Sequence, residues 1–69
     1  MELSARNILK GKVTHIKKGA VAAEVQIDIG GGNTITSTVT VESVERLGLT
    51  NGSEVSAIIK SSEVILGVG

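Results

Sequence analysis

The sequence predicts a mainly β domain: a small five-stranded barrel with one short helix between strands 3 and 4. Three observations predict it. Apolar residues alternate with polar ones in several short segments, glycine-rich turns separate those segments, and in one place the apolar spacing lengthens to a helical one.

The first strand runs through Leu9, Val13 and Ile16 and ends at Lys17-Lys18-Gly19. The second is the clearest, because Val21, Ala23, Val25, Ile27 and Ile29 alternate with Ala22, Glu24, Gln26 and Asp28, the pattern of a half-buried strand. Gly30-Gly31-Gly32-Asn33 supplies the positive φ angles of a hairpin turn. Thr34, Thr36, Thr38 and Thr40 then face one way and Ile35, Ser37, Val39 and Val41 the other, a β-branched run suited to a pleated surface. Val41, Val44 and Leu47 lie three apart, with Thr40 as a candidate N-cap and Gly48 as a C-terminal stop, so a short helix is expected over about 41–47. Thr50-Asn51-Gly52-Ser53 turns the chain into a fourth strand, Val55 to Lys60. Ser61-Ser62 splits it from a fifth, Glu63 to Leu66. This element order suggests a closed barrel of the oligonucleotide/oligosaccharide-binding type, and closure protects strand edges that a proline-free chain cannot blunt with proline.

Sixty-nine residues make one domain, spanning 1–69. A core of this size is marginal without a disulfide, a structural metal or a partner subunit. No Cys and a single His remove the first two, which leaves oligomerisation. Seven basic residues balance seven acidic ones, and there is no aromatic residue, so neither counterion release nor base stacking favours nucleic acid. The start shows no basic region followed by an apolar run, and no apolar stretch approaches the roughly 20 residues that cross a bilayer. A soluble cytoplasmic protein, bound to neither nucleic acid nor membrane, is expected.

Catalytic chemistry is hard to assemble. His15 lies mid-strand without an evident acidic partner, and Glu42 and Glu45 read as the solvated face of a helix. The glycine run lacks the downstream Lys-Ser/Thr of a phosphate loop and joins strand to strand. No enzyme is expected.

What stands out is a supply of hydrogen-bond donors. Ser4 and Arg6 are two apart and project to one side of an extended segment. Thr40 and Ser43 straddle the expected helix start, where free N–H groups and the dipole favour an anion, and Lys60 and Ser61 sit at the corner after the fourth strand. Brought together, these would suit a dehydrated oxyanion, every oxygen of which needs donors. Taken singly they read as a helix cap, a turn and a surface charge.

Here the sequence resembles a known family. Ser4-Ala5-Arg6-Asn7 with Leu9-Lys10-Gly11-Lys12-Val13 looks like the opening of the Mop/TOBE-type molybdate-binding domain, the family of the molbindins. Gly30-Gly31-Gly32-Asn33, Ile35-Thr36-Ser37, Ser43-Val44-Glu45 with Leu47-Gly48, and Ala57-Ile58-Ile59-Lys60-Ser61-Ser62-Glu63-Val64 follow in the family's order. The resemblance implies a homo-hexamer, a trimer of dimers, that binds molybdate or tungstate between subunits without a further cofactor or a directly ligated metal. It implies a site in which Ser4 and Arg6 of one subunit meet Thr40, Ser43, Lys60 and Ser61 of another. A second site, built more from backbone donors, would fall at Lys18, Gly19, Ala20 and Val21. Storage or homeostasis of molybdenum is the function implied. The alternatives are an assembly module without a specific ligand and, against the composition, an oligonucleotide-binding barrel.

Overall fold

A computed structural model describes residues 4–69; the Met1–Leu3 start, expected to carry no leader, lies outside them. Among the described residues the chain runs β1 (Asn7–Lys18), β2 (Ala22–Gly30), β3 (Asn33–Thr40), α1 (Val41–Leu47) and β4 (Glu54–Ile59), then a 3₁₀ turn over Ser61–Glu63. The strands form one antiparallel sheet in the order β3-β2-β1-β4.

β1 organises the sheet by serving two partners in succession. Its first half pairs with β4, from Asn7↔Ile59 to Lys12↔Glu54, and its second half with β2, from Lys12↔Asp28 to Lys18↔Ala23. Gly11 sits where β1 passes from one partner to the other. A Cβ there would lie 2.6 Å from both the Asp28 carbonyl oxygen and Ile27 Cγ2, so only glycine lets the backbones approach this closely. Lys12 faces Asp28 on one neighbour and Glu54 on the other, opposite charges across both ladders. A register shift between Val13 and His15 adds a bulge and more curl.

The hairpin between β2 and β3 is the expected one. Gly31 and Gly32 take φ of 63° and 80°, the mirror-image turn whose twist matches the strands, and the Gly30 N–H donates to Asp28 Oδ1 at 2.8 Å. The four threonines of β3 point to solvent, while Ile35, Ser37 and Val39 are half-buried.

The helix also falls where the spacing puts it. Thr40 caps its start, and Gly48 ends it at φ 65°. The Gly48 N–H donates to the Glu45 carbonyl at 3.1 Å and the Leu49 N–H to that of Val44 at 3.0 Å, closing the end as a Schellman motif. That motif decides which leucine turns inward. Leu47, expected on the apolar face, is exposed, whereas Leu49 packs against the core beside Val44. Val44 and Val13 are the most buried side chains, and with Ala23, Val25 and Ile27 they complete the buried core.

One expected element is absent among the described residues. Glu63 to Leu66 is not a fifth strand: Ser61–Glu63 forms the 3₁₀ turn, and the chain beyond it has no regular structure. The sheet is a curled half-barrel, not the closed five-stranded barrel expected. The physical reason is that a strand exists only within a ladder, and among the described residues nothing pairs with Val64–Leu66. Ile65 and Leu66 are accordingly 94% and 90% exposed.

Candidate functional site

The register sorts the six candidate donors into two groups. Arg6 immediately precedes Asn7 and Lys60 immediately follows Ile59, the last pair of the β1–β4 ladder, so the two cations flank one end of it. Ser4 lies two residues before Arg6, and Ser61 opens the 3₁₀ turn with Lys60 as its extended N-cap at φ −64° and ψ 139°. Ser4, Arg6, Lys60 and Ser61 are all exposed. None of them is tied into a side-chain hydrogen bond among the described residues, so each presents its donors to solvent.

The second group sits elsewhere. Thr40 ends β3 opposite Ala22, beside the pairing of Ala23 with Lys18 at the far end of β1. Thr40 Oγ1 accepts the Ser43 N–H at 3.0 Å and donates its own proton to Ser43 Oγ at 2.8 Å. The cap is thus a closed pair of hydrogen bonds that fixes both hydroxyls one helical turn apart and leaves the Ser43 proton free to be given away. The bland reading of these residues as a cap is correct, and it does not conflict with a second use. Among the described residues no strand pairing sets the first group beside the second.

The stretch expected to form a second site, Lys18-Gly19-Ala20-Val21, makes the turn between β1 and β2. Lys18 and Gly19 line a groove of about 250 Å³ together with Lys17, Glu24 and Thr38. The Gly19 N–H donates within the turn to the Ala22 carbonyl at 2.8 Å, and the Val21 carbonyl accepts from Val41 N at 2.7 Å. That last bond ties this turn to the start of α1, a proximity that needs the β2–β3 register and has no signal in local sequence.

A larger groove, of about 740 Å³, opens where β1 changes partners and was not anticipated. Lys10 and Lys12 line it, but so do Asp28 and Glu54. Its carboxylates repel an anion, so the chemistry of a donor-only site is not there.

Comparison with known proteins decides the family. The model of the TOBE domain matches residues 3–66. The chain belongs to the TOBE domain family. The resemblance carried by the Ser4–Asn7 and Lys60–Ser61 segments is borne out over nearly the full length of this TOBE domain. Molybdenum-pterin-binding protein 1 of Clostridium pasteurianum is 53% identical over 66 residues, covering 96% of this chain and 97% of that protein. The TOBE domain superposes on MopII from Clostridium pasteurianum with a TM-score of 0.90 at 51% identity, over 97% of this chain and 100% of that one. It superposes on the cytoplasmic molybdate-binding protein ModG, solved with molybdate bound, with a TM-score of 0.95 at 56% identity, over 100% of this chain and 49% of that one. These likenesses establish the TOBE fold, including the curled sheet and its single helix. No described helix is long and apolar enough to cross a membrane.

Proposed function

We propose that this chain is a non-catalytic, intracellular molybdate- and tungstate-binding protein of molybdenum storage or homeostasis, which holds the oxyanion between copies of itself. The observation that carries the reading is its likeness, along its whole length, to a protein solved with molybdate bound. The six candidate residues support it chemically. A tetrahedral dianion offers only acceptors; Arg6 offers a forked guanidinium, Lys60 an ammonium, and Ser4, Ser43 and Ser61 their hydroxyl protons, while Thr40 gives its own proton to Ser43 Oγ and so orients that donor. One Arg and one Lys balance the two charges, which keeps the desolvation of a buried ion tolerable.

The resemblance groups Lys60 and Ser61 with Thr40 and Ser43; the β1–β4 ladder sets Lys60 beside Arg6 instead. We therefore assign Ser4, Arg6, Lys60 and Ser61 to one copy and Thr40 and Ser43 to its neighbour. A second, backbone-based oxyanion site at Lys18–Val21 is the lesser part of the proposal. Assembly is supported by the small core and by the apolar side chains it leaves outside; a hexamer built from dimers is the form the family resemblance implies. Ile8 and Ile58 face each other across the β1–β4 ladder with 43% of each exposed, and Ile65 and Leu66 are almost bare.

The names of several relatives refer to a molybdenum-pterin, which favours a second reading in which the pterin is recognised. A pterin is a flat fused ring, and this chain has no aromatic side chain on which to stack it. The inorganic oxyanion is the better fit.

Thermal unfolding in the presence of molybdate, tungstate, sulfate, phosphate or a free pterin tests the proposal. A ligand at a hundred times its Kd stabilises the folded state by about 2.7 kcal/mol. For a domain of this size that raises Tm by about 10 °C or more. Molybdate and tungstate are expected to do so, and sulfate, phosphate and the pterin to leave Tm nearly unchanged. Absence of a shift with molybdate favours the ligand-free assembly module; an equal shift with sulfate removes the selectivity from the proposal.

A further inference from the structure

Asn51-Gly52 is the one Asn-Gly pair in the chain; Asn7 and Asn33 precede the branched residues Ile8 and Thr34. Asn-Gly is the dipeptide most prone to spontaneous deamidation, because no side chain on the glycine hinders its nitrogen. The Gly52 amide nitrogen loses its proton and attacks Asn51 Cγ, the bond from Cγ to the side-chain nitrogen breaks, and ammonia leaves with the proton. Water then opens the resulting succinimide to aspartate or isoaspartate. The only co-reactant is water, and both residues are exposed to it.

Solvent is therefore no protection here, but hydrogen bonding is. The Gly52 N–H, whose nitrogen is the nucleophile, donates to the Val13 carbonyl at 2.7 Å, and the Val13 N–H donates to the Ser53 carbonyl at 2.9 Å. Val13 is 1% exposed, so both main-chain groups of one of the most buried residues depend on this turn. Releasing Gly52 would leave a buried carbonyl without a partner. The turn is closed further by Ser53 N to the Thr50 carbonyl at 3.0 Å and by Thr50 N to Ser53 Oγ at 2.9 Å. Its opening is linked to loss of the core, not to local fraying.

We propose that Asn51-Gly52 is a backbone modification site that the folded chain holds shut, so that deamidation there records the time a chain has spent open. The mark is lasting. Isoaspartate inserts a methylene into a turn whose length is set by two bonds to Val13. Either product also changes the formal net charge from zero by one negative unit.

Incubation at mildly alkaline pH, folded and in concentrated guanidinium, followed by mass analysis of the tryptic peptide Leu47–Lys60, measures the rate at this one asparagine. An Asn51→Gln chain checks that the signal belongs to residue 51. The expected result is ready deamidation of the denatured chain and a rate slower by roughly tenfold or more in the folded one. A smaller ratio, or a denatured chain that does not deamidate at Asn51, overturns the proposal.

Discussion

Replacing Lys60 by alanine is expected to weaken molybdate binding by at least about 2 kcal/mol, roughly thirtyfold in Kd, while the ligand-free protein melts where the parent does. The two halves of this expectation have different sources. Lys60 is exposed, caps only a three-residue 3₁₀ turn and makes no side-chain hydrogen bond among the described residues, so its loss costs the fold little. In the proposed site the same ammonium is one of two cations facing a dianion away from water, and its removal leaves one unit of charge unbalanced. Arg6→Ala is expected to do the same for the same reason. Titration calorimetry on the variants, with Tm recorded on the same samples, separates the two halves. Unchanged affinity in both variants would show that the oxyanion sits elsewhere.

Gly11→Ala has its large effect on the fold. The added methyl would meet the Asp28 carbonyl oxygen and Ile27 Cγ2 at 2.6 Å, and Ile29 Cγ2 at 3.1 Å. The carbonyl belongs to the β2 backbone and cannot swing aside as a side chain can. The substitution therefore has to push β1 and β2 apart where β1 changes partners. Overpacking of this kind costs about 1–3 kcal/mol, which for a domain of this length is a fall in Tm of roughly 5–20 °C. Thermal denaturation followed by circular dichroism reads it directly. A Tm within a degree or so of the parent would mean that the close approach at Gly11 contributes nothing to stability.

The contrast between Gly11 and the helix marks how far the sequence alone could be read. Thr40, Ser43 and Gly48 announce α1 through chemistry that acts within one turn, and the helix lies at Val41–Leu47 as expected. The glycine hairpin and the alternation of β2 are legible for the same reason, since a positive φ and a period of two are local. Gly11 carries no such signal, because what it avoids is an oxygen on β2, seventeen positions along the chain. The inward turn of Leu49 in place of Leu47 depends on the hydrogen bonds that end the helix, not on apolar spacing. Glu63–Leu66 shows the limit most plainly: its apolar, β-branched composition is that of a strand, but composition does not say which edge is free to pair with it. The candidate residues follow the same division. Their types are evident from the sequence, whereas the grouping of Arg6 with Lys60, away from Thr40 and Ser43, needs the strand register.

That grouping makes sharing between copies the centre of the proposed mechanism, and two damaged chains can test it. Arg6→Ala and Ser43→Ala each remove one donor; the second spares the cap, because the Ser43 main-chain N–H still reaches Thr40 Oγ1. Each variant alone is expected to bind molybdate poorly. If Arg6 of one copy and Ser43 of its neighbour face the same ion, a dimer containing one chain of each kind has one intact interface site and one that lacks both donors. Denaturing the two variants together, refolding them and titrating the purified mixed assembly with molybdate should restore tight binding, at about half the parent's number of interface sites per mixed dimer. Mixed assemblies that bind no better than either variant alone would contradict a site shared between subunits.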